Sequence, residues 1–229
     1  MVMFYPPYFN HAPQTPTMTK PHPNSRILVF AKAPIAGTVK TRLIPTLGAQ
    51  RAAALQGALI RHTLATTEKS HLPVELWCHP NPGHPLFETC SREFPLTLHS
   101  QEGGDLGARM YHAACEGLAA GPVILIGTDC PALTAEVLIE SAAALERGND
   151  AVLGPALDGG YYLLGLRRID PSLFTDIPWG TDGVLERTRR QLRILGWKWQ
   201  ENPTKCDIDR ADDLSLLPAT LQAYVSSEP

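Results

Sequence analysis

The sequence predicts an α/β fold built around a mostly parallel central sheet. Short apolar runs alternate with longer stretches rich in Ala and Leu, which is the pattern of strands alternating with helices. The run Val123–Ile126 is apolar at every position, as expected for a strand that helices cover on both faces. Because 229 residues that are 44% hydrophobic can fill one large core, we expect a single domain over residues 26–229.

The first half of the chain alternates regularly. Apolar runs bounded by Gly, Pro or polar residues predict strands, and Ala/Leu-rich stretches predict helices. The predicted elements are, in order, strand 26–31, helix 47–68, strand 74–78, helix 86–94, strand 96–99, helix 106–119, strand 123–126 and helix 134–147.

The pattern becomes irregular after residue 150, as when a nucleotide-binding half (26–150) is followed by an acceptor-binding half (151–229). The elements predicted there are strands 151–153 and 161–166 around a loop, helix 181–195, a short strand 197–200, and a helical stretch 212–225 that Pro218 interrupts.

The amino-terminal segment differs in composition from the rest. Residues 1–25 hold six prolines and no continuous apolar run, so we expect this segment to be disordered and not to be a signal peptide. Met18 lies shortly before the first predicted strand, which makes it an alternative to Met1 as the start of translation.

Composition argues against several classes of partner. With a net charge of −3 and no basic block, the chain offers no electrostatic attraction for nucleic acid or an anionic membrane. The absence of any apolar run of about 18 residues predicts no membrane span. Five widely spaced cysteines without a C-x-x-C pair predict buried thiols in a cytoplasmic protein. His79 and His84 lack metal-ligand spacing and are predicted to be solvated.

The strongest functional signal is Asp129, which follows strand 123–126 after Gly127 and Thr128. Ligands of open α/β sheets bind beyond the carboxyl ends of the strands. Asp129 is therefore a candidate metal or phosphate ligand, with Thr128 beside it on the phosphate side. The alternative is that Asp129 caps the next helix or turns the chain.

A second signal is the loop Ala31–Leu43, which follows the first predicted strand. It carries Lys32, Lys40 and Arg42, and Gly37 would let its backbone approach a ligand. Its spacing matches neither G-x-x-x-x-G-K-[ST] nor G-x-G-x-x-G. We expect a phosphate-binding loop; the alternative is a solvated basic loop.

Three further segments carry candidate residues. Gly104, Asp105 and Arg109 begin helix 106–119, where they form either a contact with a nucleotide base or phosphate, or a helix cap with an i, i+4 charge pair. One carboxylate binds a divalent ion weakly, so a second acid is expected. Asp207 and Asp209 offer one, since extended backbone would put both on one side; the alternative is a surface turn in which Asp209 caps the following helix.

The loop 154–160 is a candidate acceptor site. Asp158 lies there in a Gly/Pro-rich loop, followed by Gly159, Gly160 and Tyr161. The alternative is a simple hairpin connection, and at least one of the two adjacent tyrosines is expected in the core. Trp179, just before helix 181–195, is a weaker acceptor-side candidate.

Five segments together resemble one bacterial family. They are ILVFAKAPIAGTVKTRL (27–43), GDLGARM (104–110), GTDCP (127–131), GPALDGGYYLLG (154–165) and DIDRADDL (207–214). The chain is similar over about residues 26–217 to the glycosyltransferase-like family once listed as a domain of unknown function, with some members labelled arsenosugar-biosynthesis glycosyltransferases. The resemblance implies the three-layer αβα GT-A fold of nucleotide-diphospho-sugar transferases.

The resemblance also implies roles. The segment with Lys32, Lys40 and Arg42 faces nucleotide phosphates, and Asp129 takes a divalent ion, Mg²⁺ or Mn²⁺. Asp207 or Asp209 falls in the region that supplies a second acid in related nucleotidyltransferases. Two departures from related sequences are a loop with fewer glycines around Gly37 and a single acid at Asp129.

Three functions are compatible with these residues. The first is metal-dependent transfer of a sugar from a nucleotide-sugar to a small acceptor, with Asp158 as general base and Asp209 as the alternate base. The second is nucleotidyl transfer from a nucleoside triphosphate, which releases pyrophosphate. The third is a non-catalytic nucleotide-binding module.

Overall fold

The computed structural model describes residues 24–226. Most of the segment predicted to be disordered, including Met18, lies outside these residues. Ser25 is fully buried, so the fold begins slightly before the predicted boundary at Arg26. Within residues 24–226, no helix combines the length and the apolar character that crossing a bilayer requires.

Seven strands form one sheet in the order β3-β2-β1-β4-β6-β5-β7. Only β6 runs antiparallel to its neighbours, β4 and β5. The strands are β1 Arg26–Lys32, β2 Val74–His79, β3 Leu96–Ser100, β4 Val123–Ile126, β5 Ala151–Pro155, β6 Tyr161–Leu166 and β7 Trp199–Glu201.

Helices cover both faces of this sheet. The α-helices are α1 Ile44–Leu47, α2 Ala49–Glu68, α3 Pro85–Glu93, α4 Leu106–Leu118, α5 Ala135–Glu146 and α6 Val184–Ile194. Ile27 and Val29 of β1 belong to a core cluster with α2, α3 and α5, whereas Leu28 belongs to one with α4 and α6. Alternate side chains of a strand point to opposite faces, so the fold has three layers, as predicted.

A third core cluster lies beyond the carboxyl end of β1 and determines where the C-terminal segment runs. Leu43 and Leu55 pack there with Ile208 and Leu217. The Ile208 amide donates to the Asp129 carbonyl oxygen at 2.7 Å. This apolar anchor brings residues 207–209 beside the end of β4.

Several predicted elements need correction. Helix 181–195 begins only at Val184, and the stretch 212–225 forms two 3₁₀ helices, Ala211–Leu216 and Ala219–Tyr224, because Pro218 separates them. The last strand is Trp199–Glu201, since its pairing with β5 begins at Trp199. Cys115 is exposed on α4 rather than buried, although the other four thiols are buried or half-buried.

Candidate functional site

The cations and acids singled out from the sequence meet at the carboxyl edge of the sheet. A cleft of about 580 Å³ opens there, beyond the ends of β1, β2 and β4. Its lining includes Lys32, Arg42, Gln101, Arg109, Thr128 and Asp129. The cleft is large enough for a nucleotide, because small-molecule pockets generally fall between about 300 and 1,000 Å³.

Lys40 lies at the centre of this edge and is only 3% exposed. Its Nζ atom is 2.7 Å from Asp129 Oδ1 and 3.4 Å from Asp209 Oδ1, and it donates to the Ile208 carbonyl at 2.6 Å. Burial alone would lower the pKa of Lys40, but the two carboxylates outweigh burial and raise it. Lys40 thus holds the acids together, which differs from the phosphate contact predicted for it.

The backbone of Lys40 is unusual as well. Its φ of 46° lies in the left-handed region that residues other than Gly and Asn seldom adopt. In the same loop Gly37 has φ 84°, where glycine avoids the strain of a side chain. At these two left-handed positions the loop turns over the edge of the sheet.

Asp129 and Asp209 keep one side open to the cleft, with side chains 43% and 39% exposed. Arg42 donates to Asp209 Oδ2 at 2.9 Å and remains 56% exposed. Asp209 is not a helix cap. Instead, Asp213 accepts the backbone N–H groups of Asp209 and Arg210.

Asp207 has a different environment from its neighbour Asp209. Its Oδ1 atom is buried and finds no hydrogen-bond partner among residues 24–226. Burial, followed by the nearby Asp129 and Asp158 carboxylates, raises the pKa of Asp207 to about 7. Both Asp207 and Asp209 line a cleft of about 530 Å³ that also contains Asp158.

This donor set fits a hard divalent cation. Acidic oxygens are the ligands preferred by Mg²⁺ and Mn²⁺, and Asp207 Oδ1 is a buried oxygen to which no described residue donates a hydrogen bond. In the part of the chain that the structure describes, no three His, Cys, Asp or Glu side chains converge as metal ligands. A bound ion would therefore rely on one or two carboxylates and on oxygens of the substrate, as Mg²⁺ commonly does.

Lys32 and Ala31, the other candidate residues near the start of the first loop, differ from Lys40 in their contacts and exposure. Lys32 is exposed at the cleft, where its Nζ donates to the Thr38 carbonyl at 2.7 Å. The Ala31 side chain is buried, so Ala31 can offer a ligand only its backbone. Thr128 is also buried, and its hydroxyl accepts from Gln56 Nε2 at 3.2 Å.

The start of α4 shows the predicted helix cap but not the predicted charge pair. Asp105 caps the helix by accepting from the Ala108 amide at 2.8 Å. Arg109 forms no pair with Asp105; its Nε donates to the Gly103 carbonyl at 3.1 Å, and its Nη1 lies 3.1 Å from His79 Nδ1. This leaves Arg109 in the cleft. Gly104 is not part of the cleft lining, and a Cβ added to it would meet no atom within 4 Å.

Sequence reasoning missed His79 and Gln101. His79 is half-buried against Arg109 rather than solvated, and burial, Arg109 and Lys32 lower its pKa. Gln101 Nε2 donates to the Trp77 carbonyl at 2.8 Å and to the Ala31 carbonyl at 3.3 Å. His79 is the last residue of β2 and Gln101 directly follows β3, so a position at the carboxyl end of a parallel strand was the signal available in the sequence. His84 caps α3 through Nδ1.

The hairpin between β5 and β6 forms the other side of the edge. Asp158 Oδ1 accepts the Gly160 amide at 2.9 Å. Gly159 has φ 86°, and a Cβ there would lie 2.2 Å from the Asp182 carbonyl oxygen, so this position requires glycine. Tyr162 is a core residue, as expected for at least one tyrosine of the pair. The hairpin alternative is correct, and the hairpin also borders the site.

A small cavity of about 200 Å³ lies between this hairpin and the loop carrying Trp179. Asp158, Gly160 and Tyr161 line one side of it, and Trp179 lines another. Tyr161 and Trp179 meet edge to face with ring centroids 6.4 Å apart. The predicted acceptor-side residues are thus neighbours in space, although Gly159 itself packs against Asp182.

Comparison with known proteins adds two findings. Residues 63–181 match a family described as "Uncharacterized protein conserved in bacteria (DUF2064)". The structure of a candidate nucleotide-diphospho-sugar transferase from Desulfovibrio desulfuricans G20 is 32% identical, with a TM-score of 0.78, and the alignment covers 86% of this chain and 87% of that one. No curated protein matches the chain.

More distant structures share the fold alone. CMP:2-keto-3-deoxy-manno-octonic acid synthetase complexed with CTP is 10% identical, with a TM-score of 0.54 over 87% of this chain and 98% of that one. A nucleotidyl transfer enzyme from Methanothermobacter thermautotrophicus is 12% identical with the same score and coverage. The predicted fold class, that of nucleotide-diphospho-sugar transferases, is confirmed.

Proposed function

Since the chain belongs to this DUF2064 family of bacterial proteins, as its sequence motifs predicted, we propose that it is a nucleotide-using transferase. More specifically, it moves a sugar from a nucleotide-sugar to a small acceptor with the help of a divalent metal. The observation that carries this proposal is the ion pair between Lys40 and Asp129, at 2.7 Å. It joins the cationic loop after β1 to the acid after β4 at one cleft.

The leaving group would lie in the cleft of about 580 Å³. Arg42 and Lys32 are its exposed cations on one side and Arg109 on the other, and cations placed this way favour a diphosphate. Lys40 fixes the acids that face that diphosphate. Its own ammonium group is already paired, so its role is positioning.

Asp129, with Asp207 or Asp209, would hold Mg²⁺ or Mn²⁺. When bound, such an ion supplies positive charge that stabilises the departing diphosphate. Asp207 Oδ1 is buried and has no hydrogen-bond partner among residues 24–226, and burial, followed by the nearby Asp129 and Asp158 carboxylates, raises the pKa of Asp207; a cation at this edge would offset both effects. This supports a metal at the site independently of the likeness to other transferases.

Asp158 is the candidate general base for an acceptor hydroxyl. It borders both the small cavity and the acidic cleft, and one of its oxygens is fixed by the Gly160 amide. Asp209 is less suited to this task, because Lys40 and Arg42 already occupy its two oxygens. Replacing Asp158 by Asn should abolish turnover but keep nucleotide affinity; unchanged turnover would refute this assignment.

The direct test is calorimetry with nucleoside diphosphates and nucleotide-sugars, with and without Mn²⁺. We expect at least one nucleotide to bind, more tightly with Mn²⁺, and the gain from Mn²⁺ to disappear in Asp129→Asn. Asp150→Asn, at the opposite edge of the sheet, is the matched control and should keep that gain. Nucleotide affinity that ignores Mn²⁺ would overturn the proposal.

A second candidate is nucleotidyl transfer, favoured by the position of Asp209. Asp209 shares Lys40 with Asp129, and this pair of neighbouring acids would hold the metal ion of a triphosphate substrate in such a reaction. The products separate the two reactions, because nucleotidyl transfer releases pyrophosphate and sugar transfer releases a nucleoside diphosphate.

A further inference from the structure

The small cavity beside the proposed active site differs in chemistry from the cation-lined cleft. Of the residues lining its 200 Å³, Asp158 is the only charged one. Most of the others are aromatic or aliphatic, namely Phe30, Leu106, Met110, Leu125, Ile126, Tyr161, Tyr162, Trp179 and Val184. Such walls favour apolar groups over strongly hydrated ones.

One polar atom of this wall is buried without a partner. The Tyr161 hydroxyl is inaccessible and forms no hydrogen bond with any residue in the range 24–226. The hydroxyl of the adjacent Tyr162, by contrast, donates to the Pro203 carbonyl at 3.1 Å. Buried hydroxyl groups are normally hydrogen-bonded, so Tyr161, which lines the cavity, has an unused donor and acceptor that a small rotation of its side chain would present to a bound molecule.

Gly127 lines both the cavity and the cleft. A Cβ at Gly127 would meet no atom within 4 Å, and its backbone is not in the left-handed region. Neither packing nor conformation therefore requires glycine here. A side chain at Gly127 would project into the junction between the cavity and the cleft. Because glycine has no side chain, this junction stays open.

From these three features we infer that the cavity binds the acceptor substrate. We infer further that this acceptor is a small, mostly apolar alcohol with one polar atom that forms a hydrogen bond with the Tyr161 hydroxyl. This inference rests on the proposed transferase function. A polyol would bury several hydroxyl groups against a wall with few polar atoms, and unpaired buried hydroxyl groups oppose binding. The volume corresponds to roughly seven water molecules, which suits a single ring or a short chain.

Benzyl alcohol, toluene, glycerol and myo-inositol are suitable probes, with dissociation constants measured by NMR titration of the whole protein. Benzyl alcohol should bind saturably and at least tenfold more tightly than either polyol. Tyr161→Phe should weaken benzyl alcohol about tenfold and leave toluene unchanged. Gly127→Leu should weaken both aromatic probes. Tyr224→Phe, at an exposed tyrosine of the last 3₁₀ helix, is the matched control and should change nothing.

Three results would overturn the inference: polyols that bind as well as benzyl alcohol, aromatic probes that do not saturate, or a Tyr161→Phe variant with unchanged affinity for benzyl alcohol. Calorimetry with nucleotide and Mn²⁺ on the same samples separates this failure from that of the proposed function. Lost nucleotide binding with selective probe binding refutes the transferase and retains the apolar cavity. Retained nucleotide binding without selective probe binding refutes the apolar acceptor alone.

Discussion

Acidic side chains lie at both edges of the sheet, but they are paired in opposite ways. At the amino edge, the half-exposed Arg167 and Arg168 bind Asp150, whose side chain is 9% exposed, and Asp150 also accepts the Lys198 amide at 2.9 Å. Burial opposes its ionisation, but the Lys198 amide and the two guanidinium groups outweigh it and lower the pKa of Asp150.

At the carboxyl edge, the acidic side chains are paired less completely. Asp129 and Asp209 share Lys40. Asp207 has a buried oxygen that finds no partner within residues 24–226, and its pKa is raised to about 7. The same residue type therefore has a satisfied environment at one edge and an unsatisfied one at the other. We infer that the first edge stabilises the fold, whereas the second is completed by a cationic ligand.

The largest expected effect belongs to Asp129→Asn. Loss of this carboxylate should weaken nucleotide binding in the presence of Mn²⁺ at least 100-fold, or about 2.7 kcal/mol, because the proposed ion would lose one of its protein ligands. Calorimetry measures this, and the variant should unfold at a temperature closer to wild type than Asp150→Asn does. An affinity within threefold of wild type would contradict a metal at this acid.

Asp150→Asn should show the reverse behaviour. It breaks two charged contacts of a buried carboxylate, which should cost about 2–3 kcal/mol of unfolding free energy at pH 7, measured by urea denaturation. Nucleotide affinity should not change. If this variant were as stable as wild type, the amino-edge network would not be structural.

The pH dependence of that difference follows from the lowered pKa of Asp150. A carboxyl group with a lower pKa in the folded state stabilises the protein above its unfolded pKa of about 3.9, and this contribution is lost as pH falls through the folded value. The difference in unfolding free energy between wild type and Asp150→Asn should therefore be largest at pH 7 and should shrink below about pH 4. A difference in unfolding free energy that increases as the pH falls would contradict this prediction.

Asp207→Asn should have the opposite effect on the pH dependence of stability. Because the pKa of Asp207 is raised to about 7, the folded protein binds an extra proton between about pH 4 and pH 7, and wild-type stability falls as pH rises through that window. Above pH 7, without metal, the variant should have a higher free energy of unfolding than wild type, because it has no buried charge at this position. The stabilities of the variant and the wild type should become equal near pH 4. Thermal unfolding in buffers that contain a chelator measures this.

The smallest effect is expected for Arg42→Ala. Arg42 is exposed and paired with Asp209, so its removal should change the free energy of unfolding by less than about 1 kcal/mol. A lost phosphate contact should still weaken nucleotide binding about tenfold, or about 1.4 kcal/mol. Arg193→Ala, which removes a similarly exposed arginine paired with Glu186, should leave nucleotide binding unchanged.

The elements of the sheet were predictable because local sequence patterns decide them. The run Val123–Ile126 is a central strand because every side chain in it is apolar, and Asp129 comes next to its carboxyl end by chain connectivity. The capping role of Asp105 was likewise predictable, since a cap depends on residues three positions apart.

Only the tertiary structure decided which charges meet. Lys40 and Asp209 are 169 positions apart, and they come together because Ile208 is anchored in the apolar cluster with Leu43 and Leu55. As a result, Lys40 is the partner of two acids rather than a free cation. The sequence alone determined strands, helices and the edge where a ligand binds, because these depend on neighbours along the chain. Burial and pairing depend on neighbours in space, which only the packed fold supplies.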